Sequence, residues 1–498
     1  MSISLLVAAA LALAPAAAPE APEPESPWRV LSFYEHPEGT HNAILQNASS
    51  APLMCLVDRL EAAADQDPVH VWWTLATPER VAPGETTWLR FALKRAKSRP
   101  GEVIASLQAG TRIPLQPGGS PLVPVYCVYQ GDSLYTYWRN DHAEPVTLNA
   151  VHLQGVESGD TPPLEIPPGA TGLRVLRPFR DAPPSGTEKI FQLDTSNGSG
   201  WAGAPLCSAS DFAVQWEHEA PAAFVCPTHQ HGPWDVVGNK IASWRSGMAA
   251  APATVHFCRN RLPAGLEAFA ACAPRAVVNL QASNLTRGEA EPWPGWFDIA
   301  GLVSHAVEPG GFVGLIEDAS LYGGAYSQLA SPEDPPLRDE EIRALVYLTI
   351  ASGAKGLLFR PAARPHDYSA IPISSTDPER PGDDDRSRFE RVMNEVRPLI
   401  PSLAVSCPLS PIGALDLPVC RVRALQCGEE RLFVVAYAAN HEAGEAELKV
   451  PLPPGLAAPT QWKSILSDDA LPVSVSDGRC VWRVPLDATG LAAGFLEP

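Results

Sequence analysis

Hydrophobic and polar positions change rhythm twice along this chain. From residue 28 to about 180, short runs rich in β-branched and aromatic residues alternate with turn clusters. Residues 69–74 (VHVWWT), 87–91 (TWLRF) and 134–138 (LYTYW) have the composition of strands. Ala82-Pro83-Gly84, Gln116-Pro117-Gly118-Gly119 and Pro167-Pro168-Gly169 separate such runs. Short strands at this spacing predict an N-terminal β-sandwich over 28–180. Within it, residues 54–64 read as one short helix. Residues 135–155 read as strand, turn and strand, with Arg139-Asn140-Asp141 at the turn.

From 187 to 406 short apolar runs alternate with helical segments. The predicted strands are 212–216, 223–226, 235–238, 254–257, 276–280, 312–316 and 357–359, and the predicted helices are 266–273, 339–352 and 386–400. The best-defined stretch runs from Gly310 to Pro361. GGFVGLIED is a strand that ends in two acids, Glu317 and Asp318. Ile342, Leu345, Val346, Thr349 and Ile350 then recur at helical spacing, which predicts one buried face. Asp339, Glu340 and Glu341 suit the positive end of the helix dipole, and Gly353 suits its left-handed end. A second apolar run, Leu357-Leu358-Phe359, completes a βαβ unit, the building block of parallel sheets. From 407 to 498 the chain is strand-rich again (431–437, 447–450, 481–484), as in a small C-terminal sandwich. The predicted fold class is therefore multidomain α/β plus all-β: a (β/α) barrel over 187–406, flanked by N- and C-terminal β-sandwich domains. A full eight-stranded barrel takes about 250 residues, so seven strands in this shorter span predict an incomplete or irregular one.

Composition adds limits. The net charge of −19 would repel a polyanion, which argues against nucleic acid as a partner and leaves neutral ligands such as sugars open. Residues 1–16, apolar up to the small-x-small site Ala14-Pro15-Ala16, read as a signal peptide, and 17–27 as a Pro/Glu-rich spacer. That reading places the protein outside the cytoplasm: secreted, periplasmic or on the cell surface, with no membrane span in the mature chain. Ten cysteines in an exported chain permit disulfides, and Cys407, Cys420, Cys427 and Cys480 are the expected bridge partners. None forms a CxxC pair, so a zinc ribbon is not indicated.

Several segments of the central region resemble glycoside hydrolase barrels. GFVGLIED…EEIRALVYLTIASGAKGLLFRP is similar to their seventh strand, seventh helix and eighth strand, with Ala354-Lys355-Gly356 the most specific part. DVVGNKIASWR (235–245) is similar to their sixth strand, and RFERVMNEVRPLIPSL (388–403) to the helix that closes such barrels. WEHEAP (216–221) resembles the acid-Glu-Pro signature after their fourth strand, except that Ala220 stands where the signature has an acid before proline. Residues 135–155 and 166–169 loosely resemble sandwich modules of exported carbohydrate-active proteins. The resemblance implies a glycoside hydrolase-like TIM-barrel protein in which Glu217 or Glu219 is the acid/base and Glu317 or Asp318 the nucleophile. It needs no cofactor and no metal, and implies a carbohydrate ligand. Two carboxyls flanking the scissile bond are what that chemistry requires.

Other features read more plainly. Trp216, Trp293 and Trp296 are candidate sugar-stacking residues, Trp293-Pro294-Gly295-Trp296 by its turn-rich surroundings. His229 and His231 form an HxH pair that read as turn residues, because further metal ligands at suitable spacing are wanting. Asn394-Glu395 lies mid-helix and reads as structural. Two functions follow: an exported glycoside hydrolase-like protein acting on a polysaccharide or glycoconjugate, or a non-catalytic carbohydrate-binding or surface protein whose barrel has degenerated.

Overall fold

The computed structural model describes residues 26–35, 40–62, 71–93, 103–107, 111–116, 118–153, 156, 162–216, 224–226, 254–257, 275–281, 312–317, 339–360, 383–409, 415–418, 420–438 and 443–498. Strands Trp28–Glu35, Thr40–Asn47, Thr86–Leu93 and Val71–Thr77 form one antiparallel sheet. A second, of Val57–Ala62, Val103–Leu107 and Arg112–Leu115, shares its core through Phe33, Leu45, Leu60, Phe91 and Leu107. Residues 54–64 are thus not a helix. Strands Leu53–Met54 and Val57–Ala62 hold the described part, because Cys55 and Leu60 are buried and pairing to Arg80–Val81 and Val103–Leu107 outweighs a weak local helix preference.

A separate seven-stranded sheet follows, and it extends to Ser208, past the expected domain boundary at 180–187. Its last two strands, Thr187–Thr195 and Gly198–Ser208, are a long antiparallel hairpin. Its two-residue turn is Ser196-Asn197, and Gly198, paired with Thr195, opens the second strand at φ +103°, where only glycine sits without strain. The predicted hairpin at 135–155 does not pair with itself. Ser133–Arg139 pairs with Val123–Gln130 and Thr171–Leu176, whereas Val146–Leu153 pairs with Leu164–Ile166 and Thr187–Thr195. Asn140, fully buried, turns the chain between them. Its Nδ2 donates to the carbonyls of Glu144 and Ile166, both at 2.8 Å, and its Oδ1 accepts from the His142 amide at 2.9 Å. The sheet curls until its edge strands meet, where a Cβ on Gly172 would lie 2.8 Å from the Ile166 side chain.

The central unit is a six-stranded, all-parallel sheet. In spatial order its strands are Val214–Trp216, Ala354–Arg360, Phe312–Glu317, Arg275–Gln281, Thr254–Phe257 and Phe224–Cys226. The first strand in the chain therefore lies beside the last, and the others follow in sequence. Six of the seven predicted strands are present; residues 235–238 and the predicted helix 266–273 lie outside the described residues. This order departs from the strand numbering that the family resemblance implies. Val214–Trp216 pairs with Ala354–Arg360, so if the latter closes the sheet, the former takes the first place and not the fourth.

Helix Asp339–Ala351 lies where the periodicity predicts, and Gly353 ends it at φ +100°. Ile342, Leu345, Val346, Thr349 and Ile350 are buried, but so are Ala344, Tyr347 and Leu348. From Ala344 onward the helix is buried on all sides and must be covered on all sides. The second cover is the C-terminal sandwich, whose Phe433 ring lies 6.3 Å from that of Tyr347. Helix Asp383–Val396 packs alongside, held by bidentate pairs Arg343–Glu395 (2.6 and 2.7 Å) and Arg391–Asp339 (2.8 and 3.0 Å).

The C-terminal region is a six-stranded sheet facing a three-stranded one, as the pattern predicts. Its strand Arg431–Ala438 serves two cores. Leu432, Val434 and Ala436 face the sandwich interior, while Phe433, Val435 and Tyr437 join the core of the central unit. The expected disulfides are not formed. Cys407, Cys420, Cys427 and Cys480 are buried thiols outside any disulfide, as are Cys55, Cys127 and Cys207. All but Cys55 lie on strands, where they fill apolar positions as small hydrophobes do.

Candidate functional site

The C-terminal ends of parallel strands are where a sheet of this kind gathers chemistry, because loops there converge from several strands. Here they are the ends at Trp216, Arg360, Glu317, Gln281, Phe257 and Cys226. Glu317 is the last residue of its strand, in register with Gln281 on one side and Arg360 on the other. Trp216 is in register with Phe359, and Ile316 with the same Phe359. The strand that leads into Glu217 and the strand that ends in Glu317 are thus level and separated by one strand. At 4.7–4.9 Å between neighbours, that is about 10 Å between backbones.

Below this edge the sheet is anchored by aromatic packing. Trp216 is 5% exposed, and its ring meets Phe359 edge-on at 6.4 Å and Phe389 edge-on at 6.4 Å, while Phe359 and Phe389 lie 5.7 Å apart. Ile316 shares this core. Helix Asp383–Val396 supplies Phe389, so the helix layer covers the face that carries Ile316, Phe359 and Trp216. Trp216 is a packing residue in this arrangement, and a stacking role would require its ring to leave the core.

Of the other residues singled out in the sequence, Glu217, Glu219, Asp318, Trp293 and Trp296 lie outside the described residues, as do His229 and His231. Glu395 is held by Arg343, in keeping with its structural reading. Gln281 and Arg360 were not foreseen as neighbours of Glu317. The signal for Arg360 was present in the sequence: a charged residue that ends an apolar run one position before Pro361. Among the described residues no group of three His, Cys, Asp or Glu could hold a metal ion, and no helix is long and apolar enough to cross a membrane.

No family model matches the chain, and no curated protein is similar to it. Solved structures with some likeness include an α-amylase from Geobacillus thermoleovorans complexed with acarbose: 12% identity, 55% of this chain and 60% of that one, TM-score 0.34. A GH27 β-L-arabinopyranosidase from Geobacillus stearothermophilus, in complex with arabinose, aligns at 12% identity over 58% of each chain, TM-score 0.33. A maltogenic α-amylase from Thermotoga neapolitana aligns at 11% identity over 55% of this chain and 61% of that one, TM-score 0.33. All three are glycoside hydrolases, and this chain spans about three-fifths of the length of each (60%, 58% and 61%). At TM-scores this low the superpositions carry no argument about activity.

Proposed function

We propose that this is an exported glycoside hydrolase-like protein that acts on a polysaccharide or glycoconjugate, with its central sheet closed into an irregular (β/α) barrel. What supports the closure is the strand order, in which first and last strands are neighbours and the rest follow in sequence. Glu317 is the nucleophile in this reading, with Asp318 beside it in the chain. Glu217 or Glu219 is the acid/base, and Trp293 and Trp296 contact the sugar. The observation that carries it is the level placement, one strand apart, of the strand ending in Glu317 and the strand leading into Glu217. A backbone separation of about 10 Å is compatible with the ~5–10 Å between carboxyls that glycoside hydrolysis uses.

A second reading, a non-catalytic carbohydrate-binding protein, is favoured by the place of Val214–Trp216 beside the last strand, which is not the fourth place after which the resembling signature carries its acid. A hydrolysis panel run beside a glycan array separates the two. The first expects turnover of at least one glycan by the wild type and a loss on the order of 10⁶-fold in kcat for Glu317→Gln, the scale seen when a nucleophile is removed. Binding without turnover by both proteins supports the second. Turnover unchanged in Glu317→Gln would remove Glu317 from the chemistry.

A further inference from the structure

Three consecutive carbonyls where the last helix passes into the C-terminal sandwich are each taken by a side chain from another part of the fold. The Tyr126 hydroxyl donates to the Ala404 carbonyl at 3.3 Å, and the Tyr137 hydroxyl to the Val405 carbonyl at 2.6 Å. Lys355 donates through Nζ to the Ser406 carbonyl. Tyr126 and Tyr137 belong to the seven-stranded sheet and Lys355 to the central sheet, so three units meet on residues 404–406. The Gly428 amide donates to the Tyr137 oxygen at 3.2 Å, which ties in the next turn of the sandwich. Lys355 is itself buried, and its ammonium lies 4.1 Å from the centre of the Tyr126 ring. An apolar side chain would often fill such a space at less cost, which makes a buried lysine here a candidate for specifying one arrangement over others.

We infer that this three-carbonyl clasp is a latch that seats the C-terminal sandwich on the other two units, and that its grip depends on the charge of Lys355. Burial holds the Lys355 ammonium down to about 8. A lysine freed into water would take up a proton above that pH, so seating releases one and tightens as pH rises through 8. The titratable groups around it are Tyr126 and the thiols of Cys207, Cys407 and Cys427. Burial pushes Tyr126 and Cys427 upward, so they stay neutral in that window.

Peptide-resolved native-state hydrogen exchange on the full chain tests this with Tyr137→Phe, the milder Tyr126→Phe, and Lys355→Met. In Tyr137→Phe, peptides over 400–408 and 420–427 are expected to lose protection at least tenfold more than the 339–351 helix. In the wild type, protection of 400–408, corrected for intrinsic exchange, should rise between pH 7 and 9, and Lys355→Met should abolish that rise. Equal loss in every peptide, or no loss in either tyrosine variant, overturns the latch. A pH rise that survives in Lys355→Met overturns the part assigned to its charge.

Discussion

Asn140 and Lys355 show how single polar residues decide this fold. In the sequence, Asn140 is one of three polar residues at a turn. In the structure its amide closes the gap between two strands that go separate ways. Removing it strands the buried Ile166 carbonyl, at a cost of about 1–3 kcal/mol, while the exposed Glu144 can turn to water. Asn140→Ala should therefore lower unfolding free energy by about 1–3 kcal/mol in denaturant titration, with the slope unchanged. Lys355 belongs to the Ala354-Lys355-Gly356 phrase, the most specific part of the family resemblance. Its partners, Ser406 and Tyr126, are remote in sequence, so spacing alone could not reveal its role. Glu317 was legible as a strand-end residue, but its neighbours Gln281 and Arg360 depend on inter-strand register, which no local pattern encodes.

At the scale of elements, local periodicity served well where one face of a segment is decisive. The Asp339–Ala351 helix, its Gly353 stop and the strands on either side follow directly from the 3.6-residue repeat and the flanking apolar runs. Leu345, on its fully buried face, should cost about 2–5 kcal/mol when cut to alanine. Glu395→Gln, by contrast, weakens a partly exposed pair and should cost no more than about 1 kcal/mol. It should also leave any hydrolysis untouched, which a thermal melt with a turnover assay would check. Pattern reading failed where pairing is non-local. The strands at 53–62 look helical until Val103–Leu107 is placed beside them, and the 187–208 hairpin joins a sheet whose other strands lie far back in the chain.

For the whole molecule, buried ionisable groups set the response to pH. The ordinary lysine value is 10.5, and Lys355 sits near 8, so unfolding takes up a proton between those values and stability rises with pH there. The thiols act in the opposite direction. Burial pushes Cys55 and Cys427 up to about 12, and Cys420 and Cys480 up to about 11, from an ordinary 9.0. Unfolding then releases their protons above pH 9, and stability falls. With Cys127 also pushed up by burial, five thiols outweigh one amine, so the denaturation midpoint should be level just below pH 8, rise slightly to pH 9 and decline beyond it. Lys355→Met should lack the rise and keep the decline; a decline beginning at pH 7 would contradict these assignments.

The neighbouring first and last strands of the central sheet have a consequence for synthesis on the ribosome. Val214–Trp216 finds its partner, Ala354–Arg360, only after the intervening strands have emerged. Until then Trp216 lacks both Phe359 and Phe389, which come later still. A nascent chain stopped short of residue 360 would therefore display an unpaired strand edge beside an uncovered indole, a combination that chaperones bind and that aggregates when they do not.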